Sequence, residues 1–139
     1  MQRDMRGFTL VEVVLTITIL GILAVAALPN YMALTTQAAN AGRDGVVGAV
    51  RTGVSIWRAN DVVVNGPPGV YPNPLDALPD NTTCGVATPC FTVVVGATGI
   101  RNGSWTKLTA TQYRFFDGQA NFTYTYTPAT GSFVSPTAP

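Results

Sequence analysis

The chain begins with seven polar residues, MQRDMRG, and then turns abruptly apolar. From Phe8 to Leu28 the run FTLVEVVLTITILGILAVAAL carries a single charge, that of Glu12. As a helix, rising about 1.5 Å per residue, this run is about 30 Å long and matches the hydrocarbon core of a bilayer. Pro29 follows, where a missing backbone donor predicts a kink or local opening in a continuing helix. From Tyr31 to about Asn60 the pattern changes to an amphipathic one. Val46, Val47, Val50, Val54 and Trp57 fall within about 100° of a helical wheel, with Thr52 and Ser55 opposite and Arg51 and Arg58 flanking the stripe. Gly42, Gly45, Gly48 and Gly53 sit in the same stretch, each costing up to about 1 kcal/mol against alanine in a helix. They fit either a loose helix or close approach between neighbouring helices, and the pattern does not choose.

Past residue 60 the helical period ends. Residues 65–79 (NGPPGVYPNPLDALP) read as a loop. Residues 91–95, 112–116 and 120–126 are β-branched and aromatic, and the last alternates with period two. Asp117-Gly118 has the spacing of a hairpin turn, and further short strands are expected at 105–108 and 132–134. The expected fold class is α+β: a long N-terminal helical spine, its hydrophobic half transmembrane, packed on a small antiparallel sheet of three to four strands. The organisation divides into 1–7, 8–29, 30–60 and a loop-rich β head at 61–139.

Composition narrows the chemistry. Charged residues make up 11% of 139, well under the roughly 25% of ordinary soluble domains, and the net charge is +1. No basic surface for a phosphate backbone is available, so no nucleic-acid partner is expected. The chain has no histidine, which removes the commonest general base and metal ligand. Its seven acidic residues are scattered, and neither a catalytic set nor a cofactor site is expected. Asp76 and Asp80 have the oxygen chemistry of calcium ligands, but no aspartate cluster follows Ser104, and no metal site is assigned.

Arg3 and Arg6 precede the apolar run and favour a cytoplasmic N-terminus with the remainder outside. A buried core helix rarely stays apolar this long, and a secretory signal ending near Ala24–Ala27 would be shorter. A plain anchor gives no reason for Glu12. An ionisable group within a membrane helix costs about 3 kcal/mol or more and normally has a partner. No cation lies within the segment. Cleavage after Gly7 would create one, the amine of Phe8, and pairing between Glu12 of one chain and that amine of another would make assembly specify itself.

The sequence Gly7-Phe8-Thr9-Leu10-Val11-Glu12, after a short basic leader and before a long apolar run, resembles the class III signal of type IV pilins and type II secretion pseudopilins. The resemblance implies a leader at 1–7, cut after Gly7 by a prepilin peptidase that also methylates Phe8. It implies that Glu12 neutralises the Phe8 amine of a neighbouring subunit, and that Gly21 and Pro29 are helix-weakening positions. It further implies membrane lipid as the partner before assembly, an inner-membrane assembly platform, and then other copies or other pilins. The expected protein is a structural subunit of a pilus-like filament, first single-pass in the inner membrane and then at the cell surface, serving adhesion, motility or uptake. A pseudopilin of a periplasmic pseudopilus, or a membrane-anchored binding module that never polymerises, are the alternatives.

Cys84 and Cys90 are two free thiols in a reducing compartment or a short disulfide loop in an oxidising one. The outside topology favours the disulfide. Phe122, Tyr124 and Tyr126 share a strand face, suited to core or inter-subunit packing before base stacking. Three Asn-x-Ser/Thr sequences, at Asn81, Asn102 and Asn121, are short enough to arise by chance.

Overall fold

Thr9 starts the helix. Its hydroxyl and its carbonyl both accept from the Glu12 N–H (3.3 and 3.1 Å), and the carbonyl also accepts from Val13 N–H. The computed structural model describes residues 8–135, so the leader 1–7 and residues 136–139 lie outside it. Helix α1 then runs over Leu10–Asn65, continuous through Pro29 and through every glycine of the 42–53 stretch. Residues before Ala38 and those from Ala38 onward form two separate compact units.

In the first unit, every side chain from Phe8 to Thr35 is exposed. Its hydroxyls turn back onto the helix: Thr16 donates to the Glu12 carbonyl, Thr18 to that of Leu15 and Thr35 to that of Met32. These hydroxyls are thereby satisfied within the helix, as apolar surroundings require.

In the second unit, the sheet is an antiparallel meander in the order β1-β2-β3-β4-β5: Thr82–Thr83, Trp105–Thr109, Gln112–Phe116, Asn121–Thr127 and Ser132–Val134. Alternation sends Trp105 and Lys107, Tyr113 and Phe115, Tyr124 and Tyr126, and Phe133 inward. They meet Val47, Val50 and Val54 of α1 in a single core. The β3–β4 turn is closed by Asp117, whose carboxylate accepts from Gln119 and Ala120 N–H (2.7 and 2.6 Å) beside Gly118 at φ +101°. Those N–H groups, Ala120's first, hold the Asp117 carboxyl below its usual range. Helix α1 ends in a left-handed cap: Gly66, at φ +88°, donates its N–H to the Val62 carbonyl.

The fold is thus the expected helix on an antiparallel sheet, of five strands where three to four were expected, with two further local differences. Residues 91–95, expected as a strand, form a turn in which Val94 and Val95 N–H bond to the Phe91 carbonyl. Phe91 adopts φ +59°, and the flanking Cys90 makes only an isolated bridge with Ile100. Contacts from elsewhere in the head hold the segment there and override its β-propensity. Second, Trp57 lies at the edge of the apolar stripe and is 43% exposed, while Gly53 takes the buried place.

Gly53 explains part of the glycine enrichment. A Cβ there would come within 2.7 Å of the Val94 carbonyl carbon, whereas Gly42, Gly45 and Gly48 face open space. Gly53→Ala is expected to destabilise the head by about 1–3 kcal/mol through overpacking. Gly45→Ala is expected to stabilise the helix by up to about 1 kcal/mol. Thermal unfolding of the detergent-solubilised chain, followed by circular dichroism, checks both. Shifts of the same sign would mean that the Val94 turn yields.

Candidate functional site

Two places in the chain concentrate unusual chemistry, one in each unit. In the first, Phe8 precedes the helix and is 81% exposed, and Glu12 stands in the first helical turn on an exposed surface. Gly7 and the leader arginines lie outside the described residues. A carboxylate in the first turn also meets the positive end of the helix dipole. The capping spacing Thr9-x-x-Glu12 was legible in the sequence, though the reading above takes Glu12 without Thr9. Gly21 lies on an open groove beside Thr18, Ile22 and Val25, and Pro29 lies within the continuous helix. The apolar window of α1 is long enough to cross a membrane, and none of it is buried.

In the second unit, the loop after α1 is tied to the head by arginine. Arg58 stacks 4.7 Å over the Tyr71 ring and donates to its hydroxyl (2.7 Å) and to the Pro68 carbonyl (3.2 Å). Arg51 donates to the Phe133 carbonyl (2.9 Å), joining α1 to β5. Asp61 accepts from Val70 N–H (2.8 Å) and the Asn65 amide (2.7 Å), and these hold its carboxyl below its usual range. An open cleft runs between Arg58, Tyr71, Pro128 and Ala129.

Deeper in, the loop delivers Asp76 into the core, 1% exposed. Its Oδ1 accepts from Lys107 Nζ at 2.8 Å and from Leu78 N–H at 3.2 Å. Its Oδ2 accepts from Tyr113 OH at 2.9 Å and from Phe91 N–H at 3.1 Å. Lys107, 3% exposed, also donates to the Leu78 carbonyl at 2.7 Å. Asp76 therefore spends both oxygens on protein donors, which replaces the calcium-ligand reading raised for it. Among the described residues no three metal-binding side chains cluster. Cys84 and Cys90 are joined in a disulfide and fully buried beside this network.

The ion pair went unread in the sequence, yet it left a signal. Lys107 is the only lysine of the chain, and it shares strand parity with Trp105, which points inward. The aromatic residues 122, 124 and 126 divide as well. Tyr124 and Tyr126 are buried, with Tyr126 OH donating to the Pro72 carbonyl (2.7 Å), and Phe122 is half-buried beneath Arg43.

Residues 2–28 match the family model described as the prokaryotic N-terminal methylation motif. A 51-residue stretch is 43% identical to the type IV narrow pilus major component PilA5 of Thermus thermophilus, covering 37% of this chain and 44% of that protein. The match therefore spans less than half of that relative's length. No solved structure matches the chain. On these two matches the chain is type IV pilin-like.

The buried network yields two expectations. Lys107→Met leaves a buried carboxylate without its cation and is expected to cost about 3–5 kcal/mol, read as a lower unfolding temperature of the solubilised chain. Burial pushes the Tyr113 phenol far above its usual 10.0, and the Asp76 charge adds to the shift. An unfolded tyrosine releases its proton near pH 10.0 while the folded Tyr113 retains it. Stability present below that pH is therefore lost as pH rises above it. Tyr113→Phe should flatten this alkaline slope in a series of melting curves, and an unchanged slope would remove Tyr113 as its main source.

Proposed function

We propose that the chain is a structural subunit of a type IV pilus-like filament, released from a leader by cleavage between Gly7 and Phe8. The observation that carries this reading is the wholly unburied apolar segment of α1, with Phe8 and Glu12 at its start, coincident with the methylation-motif match. Such a surface needs a cover. Lipid supplies it while the subunit waits in the inner membrane, and the helices of other copies supply it in the filament.

Within that reading Glu12 selects the assembled register. The Phe8 amine freed by cleavage is a cation, and a neighbouring Glu12 is the one carboxylate in the apolar zone. Away from water an unpaired charge of either sign is costly, so registers that leave both unpaired are disfavoured. Methylation of the amine keeps its charge while adding apolar surface. Prepilin peptidase and an inner-membrane assembly platform are the partners this route requires. The similarity to a pilus major component favours a surface fibre over a periplasmic pseudopilus.

Mass spectrometry of the N-terminal peptide from membranes and from sheared surface protein tests the route. A peptide beginning at N-methylated Phe8 is expected, and an intact Met1 or a cut near Ala27 would overturn it. Glu12→Ala is expected to keep normal membrane levels and lose surface filaments. Abundant fibres from that variant would remove Glu12 from assembly.

A further inference from the structure

Asp76 and Lys107 meet under conditions unusual for an ion pair. Both side chains are almost wholly removed from water, at 1% and 4% exposure, and stand 2.8 Å apart. They share the core with packed aromatic rings: Phe91 lies near Tyr113 with centroids 4.3 Å apart, and Trp105 lies edge-on to Phe91 at 5.6 Å. The two carboxylate oxygens are also treated differently. Oδ2 receives two fixed donors, Tyr113 OH at 2.9 Å and Phe91 N–H at 3.1 Å, while Oδ1 faces the lysine nitrogen. Two donors converging on one oxygen form an oxyanion hole for addition at the carboxyl carbon. The Leu78 carbonyl, 2.7 Å from Nζ, orients the nucleophile.

We propose that Lys107 and Asp76 condense into an intramolecular isopeptide bond. The first step is transfer of a proton from the ammonium to Oδ1 across their 2.8 Å contact. The freed Nζ lone pair attacks Asp76 Cγ. Negative charge gathers on Oδ2, where the Tyr113 hydroxyl and the Phe91 N–H hold it. The protonated Oδ1 takes a second proton from nitrogen and departs as water. An ammonium and a carboxylate thus become one amide and one water, with no oxidant, reductant or cofactor. The remaining amide N–H keeps its bond to the Leu78 carbonyl. Exclusion of solvent disfavours hydrolysis of the product.

The bond staples the proline-rich loop to β2 across 31 positions of sequence. The disulfide Cys84–Cys90 lies between the two attachment points. The disulfide loop lies inside the larger 76–107 loop, which also holds the turn at residues 91–95, so the head resists unfolding even after the disulfide is reduced.

Because Lys107 is the only lysine, the test is direct. The intact mass of the purified full chain, disulfide reduced, is compared with that of Lys107→Met. The native chain is expected to fall one water below the mass calculated for its own N-terminus as found, and the variant to match its calculated mass. Peptide mapping should give a branched peptide joining Asp76 and Lys107, with no tryptic cut after Lys107. Asp76→Asn should reach the native mass by losing ammonia instead. Tyr113→Phe should leave a mixture of joined and unjoined chains. A native chain with no water missing from the mass calculated for its N-terminus, cut by trypsin after Lys107, would overturn the proposal. That readout needs only the native protein, so it stands even where a variant fails to accumulate.

Discussion

A carboxylate taken out of water needs both its charge and its lone pairs answered, and the head is arranged around answering those of Asp76. The four donors come from four separate stretches: Leu78 on the loop, Phe91 at the start of a turn, Lys107 on β2 and Tyr113 on β3. None is its neighbour in a regular helix or strand. Satisfying one aspartate thus fixes where the loop after α1 enters, where the disulfide-closed segment lies, and the relation of both to the central strands. The aromatic core supplies the burial that makes the demand strict.

The N-terminal unit poses the opposite problem. From Phe8 to Thr35 no side chain is buried, although most are large and apolar. At about 25 cal/mol per Å² of apolar surface, a helix so exposed is far from equilibrium in water and requires a cover. The threonine hydroxyls bonded back to the helix leave few polar groups to satisfy, so lipid or other helices suit equally well. Glu12 is the exception. It is tolerable at the first turn and costly elsewhere, which is why the proposed assembly gives it the task of setting a register along an otherwise uniform surface.

How much of this was legible follows from the range of each interaction. The apolar run, the Val47–Val50–Val54 stripe and strands β3 and β4 are local periodicities, and they read directly from spacing. Glu12 stands out in the sequence because it is alone among apolar neighbours. Trp57 was misplaced because a wheel cannot know that Gly53 admits the Val94 carbonyl and shifts the contact face. Residues 91–95 read as a strand because β-propensity is local and Asp76, which claims the Phe91 N–H, lies 15 positions away. The ion pair was the least legible feature: its halves lie 31 residues apart, one of them in a loop without periodicity. The inward parity of Lys107 marked one half, and nothing in the sequence marked the other.

That misplaced strand gives a reason for the expensive polar network. A buried ion pair is weak evidence for stability, since an apolar pair of similar volume often serves as well or better. Its value lies in what it prevents. The run Phe91-Thr-Val-Val-Val95, freed from the core, would be a flat β-branched segment, the kind that adds to exposed sheet edges. Copies gathered in a membrane or a fibre would meet such edges often. The head blunts both edges of its sheet, with β1 only two residues long and β5 three. Asp76 completes the arrangement by taking the Phe91 N–H, and the buried Cys84–Cys90 disulfide fixes the chain immediately before it. The valines are thereby folded into a turn against Gly53 of the helix, where their backbone has no free edge to offer. An apolar residue at position 76 would pack as well and leave that N–H unclaimed, and so could not enforce the turn.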